Sequence, residues 1–273
     1  MPQDFPTLAD LEAFARDAKI TAIKHFTPFG VTASAKGDST PLTLADNEIN
    51  QAFIAWAADR FRMLQIFGEE KDGATIVGAK RRAMIDPIDG TIQFSSGLLT
   101  STTIIAVFED GKPIQSVIVD HGHDRIWSAQ RGMGAFCNGV PIRVSKQNRL
   151  ERVKGEPLTK LWAGTWVGAP MKNLESAIVD LIRAGVVCEC PFTLGLYGGL
   201  TAMGLYDGTI FPNTDGHETG AMALLVEEAG GRATDIFGRE LVYGPRCEVQ
   251  GHIITNGLIH DKIVEIVGRH VTQ

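Results

Sequence analysis

The sequence predicts a layered fold of the α+β or α/β class, and three observations predict it. Segments of helical and strand periodicity alternate along the chain. Two turn signals, Asp110-Gly111 and Asn138-Gly139, tie a β-rich middle together as hairpins. Neither an internal repeat nor a linker separates the halves. The expected layers therefore form one unit over 1–273, with subdomains of roughly 1–150 and 151–273 meeting near 140–160.

The elements follow in order. Thr7 to Lys19 reads as an amphipathic helix capped by Thr7, with Leu8, Leu11, Phe14, Ala15 and Ala18 on one face. Ser34 to Pro41 is a loop by its turn chemistry. A second helix starts near Asp46, where Ile49, Phe53, Trp56, Ala57 and Phe61 recur at helical spacing. Gln65-Ile66-Phe67 is a short strand, followed by Gly68-Glu69-Glu70 and an excursion from Lys71 to Lys80. Arg81 to Ile85 reads as a strand that ends in the turn Asp86-Pro87-Ile88-Asp89-Gly90-Thr91. Thr102 to Glu109 and Pro113 to Val119 are the arms of a hairpin, with Arg125 to Ala129 and Ala135 to Cys137 continuing the sheet. In the second half, Leu161 to Val167, Gly208 to Phe211 and Ile253 to Thr255 read as strands. Asn173 to Ala184, Leu200 to Leu205, Glu218 to Ala229 and His260 to Val267 read as helices, the third closed by Gly230-Gly231.

Composition narrows the function. The chain has 273 residues, a net charge of −6 and the make-up of an ordinary globular protein. No basic surface for a nucleic acid polymer is evident, and the apolar runs are too short to span a bilayer. Residues 1–6 show neither a basic nor an apolar leader region. Four cysteines are too few for a disulfide framework, and Cys188 and Cys190 make a poor zinc half-site without a second pair. A cytoplasmic protein is the resulting expectation.

The chemistry centres on the turn at Asp86. Pro87 fixes its own φ and drives Asp86 toward an extended conformation, while Gly90 permits a sharp reversal. Two carboxylates and the Ile88 carbonyl then stand on one stiff turn, and hard divalent cations take such oxygen ligands. Thr91 opens a segment whose N–H groups can face an anion. The same residue types also suit a plain surface turn, so the remaining acids decide. These are Thr43-x-x-Asp46, Gly68-Glu69-Glu70 and Asp215-Gly216-His217-Glu218, each at the edge of a regular element. Singly, Asp46 and Glu218 read as helix-start capping residues. His121-Gly122-His123-Asp124 reads as a polar turn before a metal site, and Arg81-Arg82 as an anion-steering pair or a solvated strand edge.

In that order the motifs resemble those of the inositol monophosphatase superfamily of Mg²⁺-dependent, lithium-sensitive phosphatases. Asp86-Pro87-Ile88-Asp89-Gly90-Thr91 matches its central motif, Gly68-Glu69-Glu70 the upstream acidic motif and Thr43-x-x-Asp46 the earlier one. Trp127-Ser128-Ala129, Gly132 to Gly139, and Gly220-Ala221 through Gly231 extend the resemblance. The resemblance implies an αβαβα, sugar-phosphatase-like sandwich, a homodimer, and hydrolysis of a small phosphate monoester with two or three Mg²⁺ ions. It implies that Glu69, Asp86 and the Ile88 carbonyl hold one metal, and that Asp86, Asp89 and Glu218 hold another. Asp46 and Thr91, helped by Glu69, would activate water, and the Gly90 and Thr91 N–H groups would hold phosphate.

The chain departs from that pattern at the substrate side. His217-Glu218 replaces the usual Trp-Asp, leaving Asp215 and His217 as alternatives to Glu218 in the second metal site. Gln93 stands where Asn is common, and Phe192-Thr193-Leu194-Gly195 stands where a Gly-Ser-Ala-like turn is common. Phe211 replaces a hydroxyl-binding glutamate. Phe192, Phe211 and Glu218 are thus the expected substrate contacts beside Gly90 and Thr91, and Phe192 and Phe211 can equally be core. An aromatic cannot accept a polyol's hydrogen bond, which argues against inositol 1-phosphate as best substrate. Sugar, cyclitol and amino-alcohol phosphates lead, with histidinol phosphate or a nucleotide 3′-phosphate as alternatives. A non-catalytic binding or assembly module is the competing class.

Overall fold

The structure, a computed structural model, describes residues 4–37, 41–164, 174–190, 193–212 and 216–271. Its first layer is a helix pair, α1 (Leu8–His25) and α2 (Leu44–Arg60), with the short ladder β1 (Ser34–Ala35) and β2 (Pro41–Leu42) between them in sequence. Thr7 caps α1 in a reciprocal box with Asp10. The helix runs six residues past the sequence expectation.

The second layer is a sheet of β3 (Leu64–Gly68), β4 (Arg81–Asp89), β5 (Thr102–Glu109), β6 (Lys112–Asp120), β7 (Arg125–Gln130), β8 (Gly134–Cys137) and β9 (Val140–Pro141). After the parallel β3–β4 pair every neighbour is antiparallel. Its turns form where the dipeptides predict. Asp110 and Gly111 have φ of 49° and 74°, Asn138 and Gly139 of 50° and 76°, the signs a tight two-residue hairpin demands. The short helix α3 (Thr91–Ser95) follows β4 directly.

The second sheet contains β10 (Lys160–Ala163), β11 (Val187–Glu189), β12 (Gly208–Phe211), β13 (Arg232–Thr234) and β14 (His252–Thr255), in the order β11-β10-β12-β14-β13. Helices α4 (Leu174–Ala184) and α7 (His260–Gly268) cover its outer face. Between the sheets lie α5 (Leu194–Ala202) and α6 (Gly216–Glu228).

Strand alternation builds these layers. Met84, Ile104, Ala106 and Phe108 face α5 and α6, whereas Ala83, Ile85, Ile105 and Val107 face α1 and α2. Trp162, Phe211 and Ile254 enter the same central core from the second sheet, and Leu161, Ile210 and Ile253 turn to α4 and α7. Both sheets are covered on both faces, which is why their strands read as nearly continuous apolar runs. The result is the αβαβα sandwich.

Three sequence readings change. Strand β4 continues through Pro87 to Asp89, because a bulge shifts its register against β5 and keeps it paired. Helix α5 occupies 194–202 rather than 200–205. Its glycines obscure the helical signal, yet they permit close packing: a Cβ at Gly199 would meet the Trp127 ring at 2.4–2.5 Å. The strand expected over 161–167 is seen as 160–163, and 165–167 lie outside the described residues.

Candidate active site

The bulge places the central carboxylates. Asp86 pairs with Ile104 and Asp89 with Thr102, leaving Pro87 and Ile88 out of simple register. Gly90 then takes a left-handed conformation, φ 88° and ψ 37°, and turns the chain into α3. Thr91 Oγ1 lies 2.8 Å from the Ile88 carbonyl and 3.3 Å from Asp46 Oδ1. Asp46, fully buried in the first turn of α2, receives both the Thr43 N–H, at 2.8 Å, and the Thr43 hydroxyl on Oδ2, the oxygen away from Thr91. Burial raises its pKa, and the Thr43 hydrogen bonds pull the other way.

Asp89 is held from three sides. Thr102 Oγ1 donates to it at 2.6 Å, and the Leu194 and Gly195 N–H groups each donate at 2.8 Å. The carboxylate thereby caps α5, whose own N-cap residue Thr193 makes no side-chain cap bond. Burial still lifts the Asp89 pKa to about 6. Asp86 is pushed well above the carboxylate range by burial, with the charges of Glu69, Asp89 and Glu218 adding to it. Lys36 answers this negative field: Nζ stands 2.7 Å from Glu69 and 2.5 Å from Glu70. Burial disfavours the Lys36 charge, but the two carboxylates outweigh burial and raise its pKa. Burial lifts Glu70 to about 7.

This arrangement fits a divalent cation. Asp86 Oδ1 is buried with no hydrogen-bond partner among the described residues, although such an oxygen normally has one. Three further carboxylates raise its pKa by their charge, and carboxylate oxygen is the donor type that suits Mg²⁺. Among the described residues, no three Asp, Glu, His or Cys side chains are already gathered at ligand spacing around one point.

Asp46, Ile88, Asp89, Gly90 and Thr91 thus meet around the bulge, and Glu69 and Glu218 act on Asp86 by their charge. Phe211 stands apart from the expectation of a substrate contact. It is 4% exposed, edge-on to Trp162 with centroids 5.3 Å apart, and tilted against His252. Its ring is a packing group of the core, because β12 turns it toward the layer between the sheets. Phe192 and Asp215 lie outside the described residues. His121 is buried between Ser101 and Thr103, and His123 bonds Asp120, so their turn is structural. Arg81 pairs with Glu109, and Arg82 bonds the Gly244 and Pro245 carbonyls. All four cysteines are free thiols. Among the described residues, no helix is long and apolar enough to cross a membrane.

Sequence reasoning missed Lys36, Thr102 and the α5 N–H groups. Lys36 sits in a run that reads only as loop, and Thr102 is hidden among β-branched strand residues. The role of Lys36 appears only in its pairing with Glu69 and Glu70, and that of Thr102 and the α5 N–H groups only in the close approach of β5 and α5 at Asp89. A Cβ at Gly195 would lie 2.4 Å from Thr102 Oγ1, so glycine there lets α5 reach Asp89.

Known proteins are similar to this chain in sequence and fold. The histidinol-phosphatase of Mycobacterium tuberculosis is 28% identical over 258 residues, covering 91% of this chain and 92% of that protein. A solved IMPase of Thermotoga maritima superposes with a TM-score of 0.82 at 25% identity, covering 96% of each chain. An IMPase/NADP phosphatase, solved as a complex with Mg²⁺ and phosphate, superposes with a TM-score of 0.79 at 24% identity, covering 98% of this chain and 99% of that one. The inositol monophosphatase family itself matches residues 8–272. A match that starts with the first helix and stops one residue short of the last leaves no layer of the fold outside it: the chain belongs to the inositol monophosphatase family.

Proposed function

We propose that this chain hydrolyses a small phosphate monoester, with a sugar, cyclitol or amino-alcohol as leaving group, using two or three bound Mg²⁺ ions. It is a phosphoric monoester hydrolase of its family. The observation that carries the reading is the buried Asp86 Oδ1, without a hydrogen-bond partner among the described residues and under the charge of Glu69, Asp89 and Glu218, set beside the Asp46–Thr91 pair. Glu69, Asp86 and the Ile88 carbonyl are the donors for one ion, and Asp86, Asp89 and Glu218 for a second. Mg²⁺ bound there supplies positive charge that lowers the pKa of water and offsets charge on the phosphoryl and leaving oxygens.

The chain's own groups do the rest. With its single proton turned from the Ile88 carbonyl to Asp46 Oδ1, Thr91 Oγ1 has lone pairs free to receive a proton from the attacking water while it passes its own proton on. Asp46, with a raised pKa and 3.3 Å from Thr91 Oγ1, takes that proton as general base, and Glu69 assists. The Gly90 and Thr91 N–H groups orient the phosphate. Phosphate esters hydrolyse extremely slowly unaided, so positioning and charge stabilisation carry most of the acceleration.

The leaving alcohol is read from the relatives, since Phe211 belongs to the core: the similar Mycobacterium protein is named a histidinol-phosphatase, and histidinol phosphate is an amino-alcohol phosphate. We place histidinol phosphate ahead of inositol 1-phosphate, and the protein as a cytoplasmic homodimer. Phosphate release from a panel of sugar, cyclitol, histidinol and nucleotide 3′-monophosphates, with Mg²⁺ and with EDTA, tests this. Mg²⁺-dependent release, fastest on an amino-alcohol or sugar phosphate, is expected. Release from no ester overturns the reading in favour of a non-catalytic role.

A further inference from the structure

Ser101, just before strand β5, and Thr102 and Thr103, which open it, are completely buried. Thr102 reaches Asp89 on one face. On the other, Thr103 Oγ1 donates to the Pro87 carbonyl at 2.7 Å, inside the bulge that separates Asp86 from Asp89. That donation uses the single Thr103 hydroxyl proton. The contact of 2.9 Å between Thr103 Oγ1 and His121 Nε2 must then run from an Nε2–H to the hydroxyl oxygen. His121 Nδ1 consequently carries no proton and accepts from Ser101 Oγ, also at 2.9 Å. The His121 backbone N–H completes the clasp on the Ser101 carbonyl at 3.1 Å. One tautomer satisfies every group, and burial keeps the ring neutral by holding its pKa down at about 3.

We propose that Thr103 and His121, seated by Ser101, are positioning residues that fix the bulge on which the cation ligands stand. The inference rests on the Mg²⁺-dependent reading above. The physical reason lies in the bulge itself. A bulge interrupts the ladder, and a carbonyl left without a partner can turn with its peptide. Thr103 ties the Pro87 carbonyl to β5. The next carbonyl, Ile88, is then free to face Thr91 and the cation, and Asp86 and Asp89 keep their separation. Without the tie, the Pro87–Ile88 peptide can rotate, and three donors lose their common aim. A histidine that merely fills the core would affect stability alone, whereas this clasp should set metal affinity.

Thr103→Val removes the hydroxyl at nearly constant volume, Thr103→Ser keeps it, and Ser101→Ala loosens only the imidazole. Calorimetric titration with Mg²⁺ alone, and the Mg²⁺ dependence of phosphate release, are read on all three beside the wild type. Thr103→Val is expected to raise the half-saturating Mg²⁺ about tenfold in both readouts, as removal of outer-shell partners typically does. The rate at saturating Mg²⁺ should change by less than about threefold, and Thr103→Ser should return the midpoint to near the wild-type value. A Thr103→Val protein with a lower melting temperature but an unchanged Mg²⁺ midpoint overturns the proposal. If Thr103→Val does not fold, Ser101→Ala decides: a raised midpoint supports the clasp, and an unchanged one overturns it. A wild-type chain that takes up no Mg²⁺ in the calorimeter sinks this proposal together with the reading beneath it. Wild-type uptake without any effect of the variants sinks this one alone.

Discussion

Replacing Gly195 by alanine sets two physical effects against each other. In a helix, Gly→Ala is ordinarily favourable by about 1 kcal/mol, because alanine loses less backbone entropy on folding. At Gly195 the new Cβ would stand 2.4 Å from Thr102 Oγ1, and 2.7 and 2.9 Å from two carbons of Ile104. Both neighbours belong to fully buried residues of β5, so the first turn of α5 must retreat. Overpacking of this kind costs about 1–3 kcal/mol. The retreat also draws the Leu194 and Gly195 N–H groups, now 2.8 Å away, off Asp89. Each hydrogen bond to a charged group is worth about 1.5–3 kcal/mol. With even one of these hydrogen bonds lost, the clash wins, with a net loss of about 1.5–5 kcal/mol after the propensity gain is subtracted. For a chain of this size that lowers Tm by about 4–10 °C. Thermal unfolding and kcat/KM are measured on Gly195→Ala beside Gly199→Ala. The latter drives a Cβ into the Trp127 ring on the same helix, away from Asp89. Both variants should lose stability, but Gly195→Ala should lose about tenfold more activity at limiting Mg²⁺. A Gly195→Ala protein as stable and active as the wild type would refute the close-approach argument.

Three further outcomes are expected. Thr102→Val removes the 2.6 Å donor to Asp89, so the Asp89 pKa rises above its present level of about 6. The acid limb of the kcat/KM profile should move to higher pH by about one unit, and an unmoved limb would deny Thr102 a role. His260 lies buried between Thr234 and Thr255, and burial lowers its pKa to about 4 from 6.5. The unfolded chain binds this proton first, so the stability from the neutral ring is complete above pH 6.5 and is lost as pH falls toward 4. The slope is at most about 1.4 kcal/mol per pH unit. Urea unfolding of His260→Gln across that window should lack this slope. Phe211→Ala should cost about 3–5 kcal/mol, since it opens a cavity beside Trp162 and His252; a loss under 1 kcal/mol would return Phe211 to the substrate side.

What the sequence shows directly is what local chemistry determines. The hairpin at Asp110-Gly111 is legible because two positive φ angles leave few residue choices. Helix α1 is legible from Thr7, Asp10 and a face at helical spacing. The DPxDG turn reveals Asp86, Asp89 and Thr91 because their chemistry is contiguous in sequence. The rest depends on distance in space. Helix α5 hides behind Gly195, Gly198 and Gly199, whose low helix propensity is overridden by packing against Thr102, Met222 and Trp127. Strand β4 passes Pro87 because a bulge tolerates the missing N–H. Strands β11 and β13 have three residues each, too few to show a period. Lys36 is separated from Glu69 by 33 positions, so no local pattern could link them. A place in a motif points Phe211 at substrate, whereas its burial follows from which face of β12 it occupies.

If the acids whose charge acts on Asp86 hold Mg²⁺ for phosphate-ester hydrolysis, as proposed, removing the Asp86 charge must abolish both binding and turnover. The most direct measurement is phosphate release from the best ester of the panel by wild type and by Asp86→Asn, each with Mg²⁺ and with EDTA, beside Mg²⁺ titration calorimetry. Mg²⁺-dependent release and Mg²⁺ uptake are expected of the wild type, with both lost in Asp86→Asn while the variant remains folded. Release that persists in EDTA, or an Asp86→Asn protein that binds Mg²⁺ and turns over like the wild type, would contradict it.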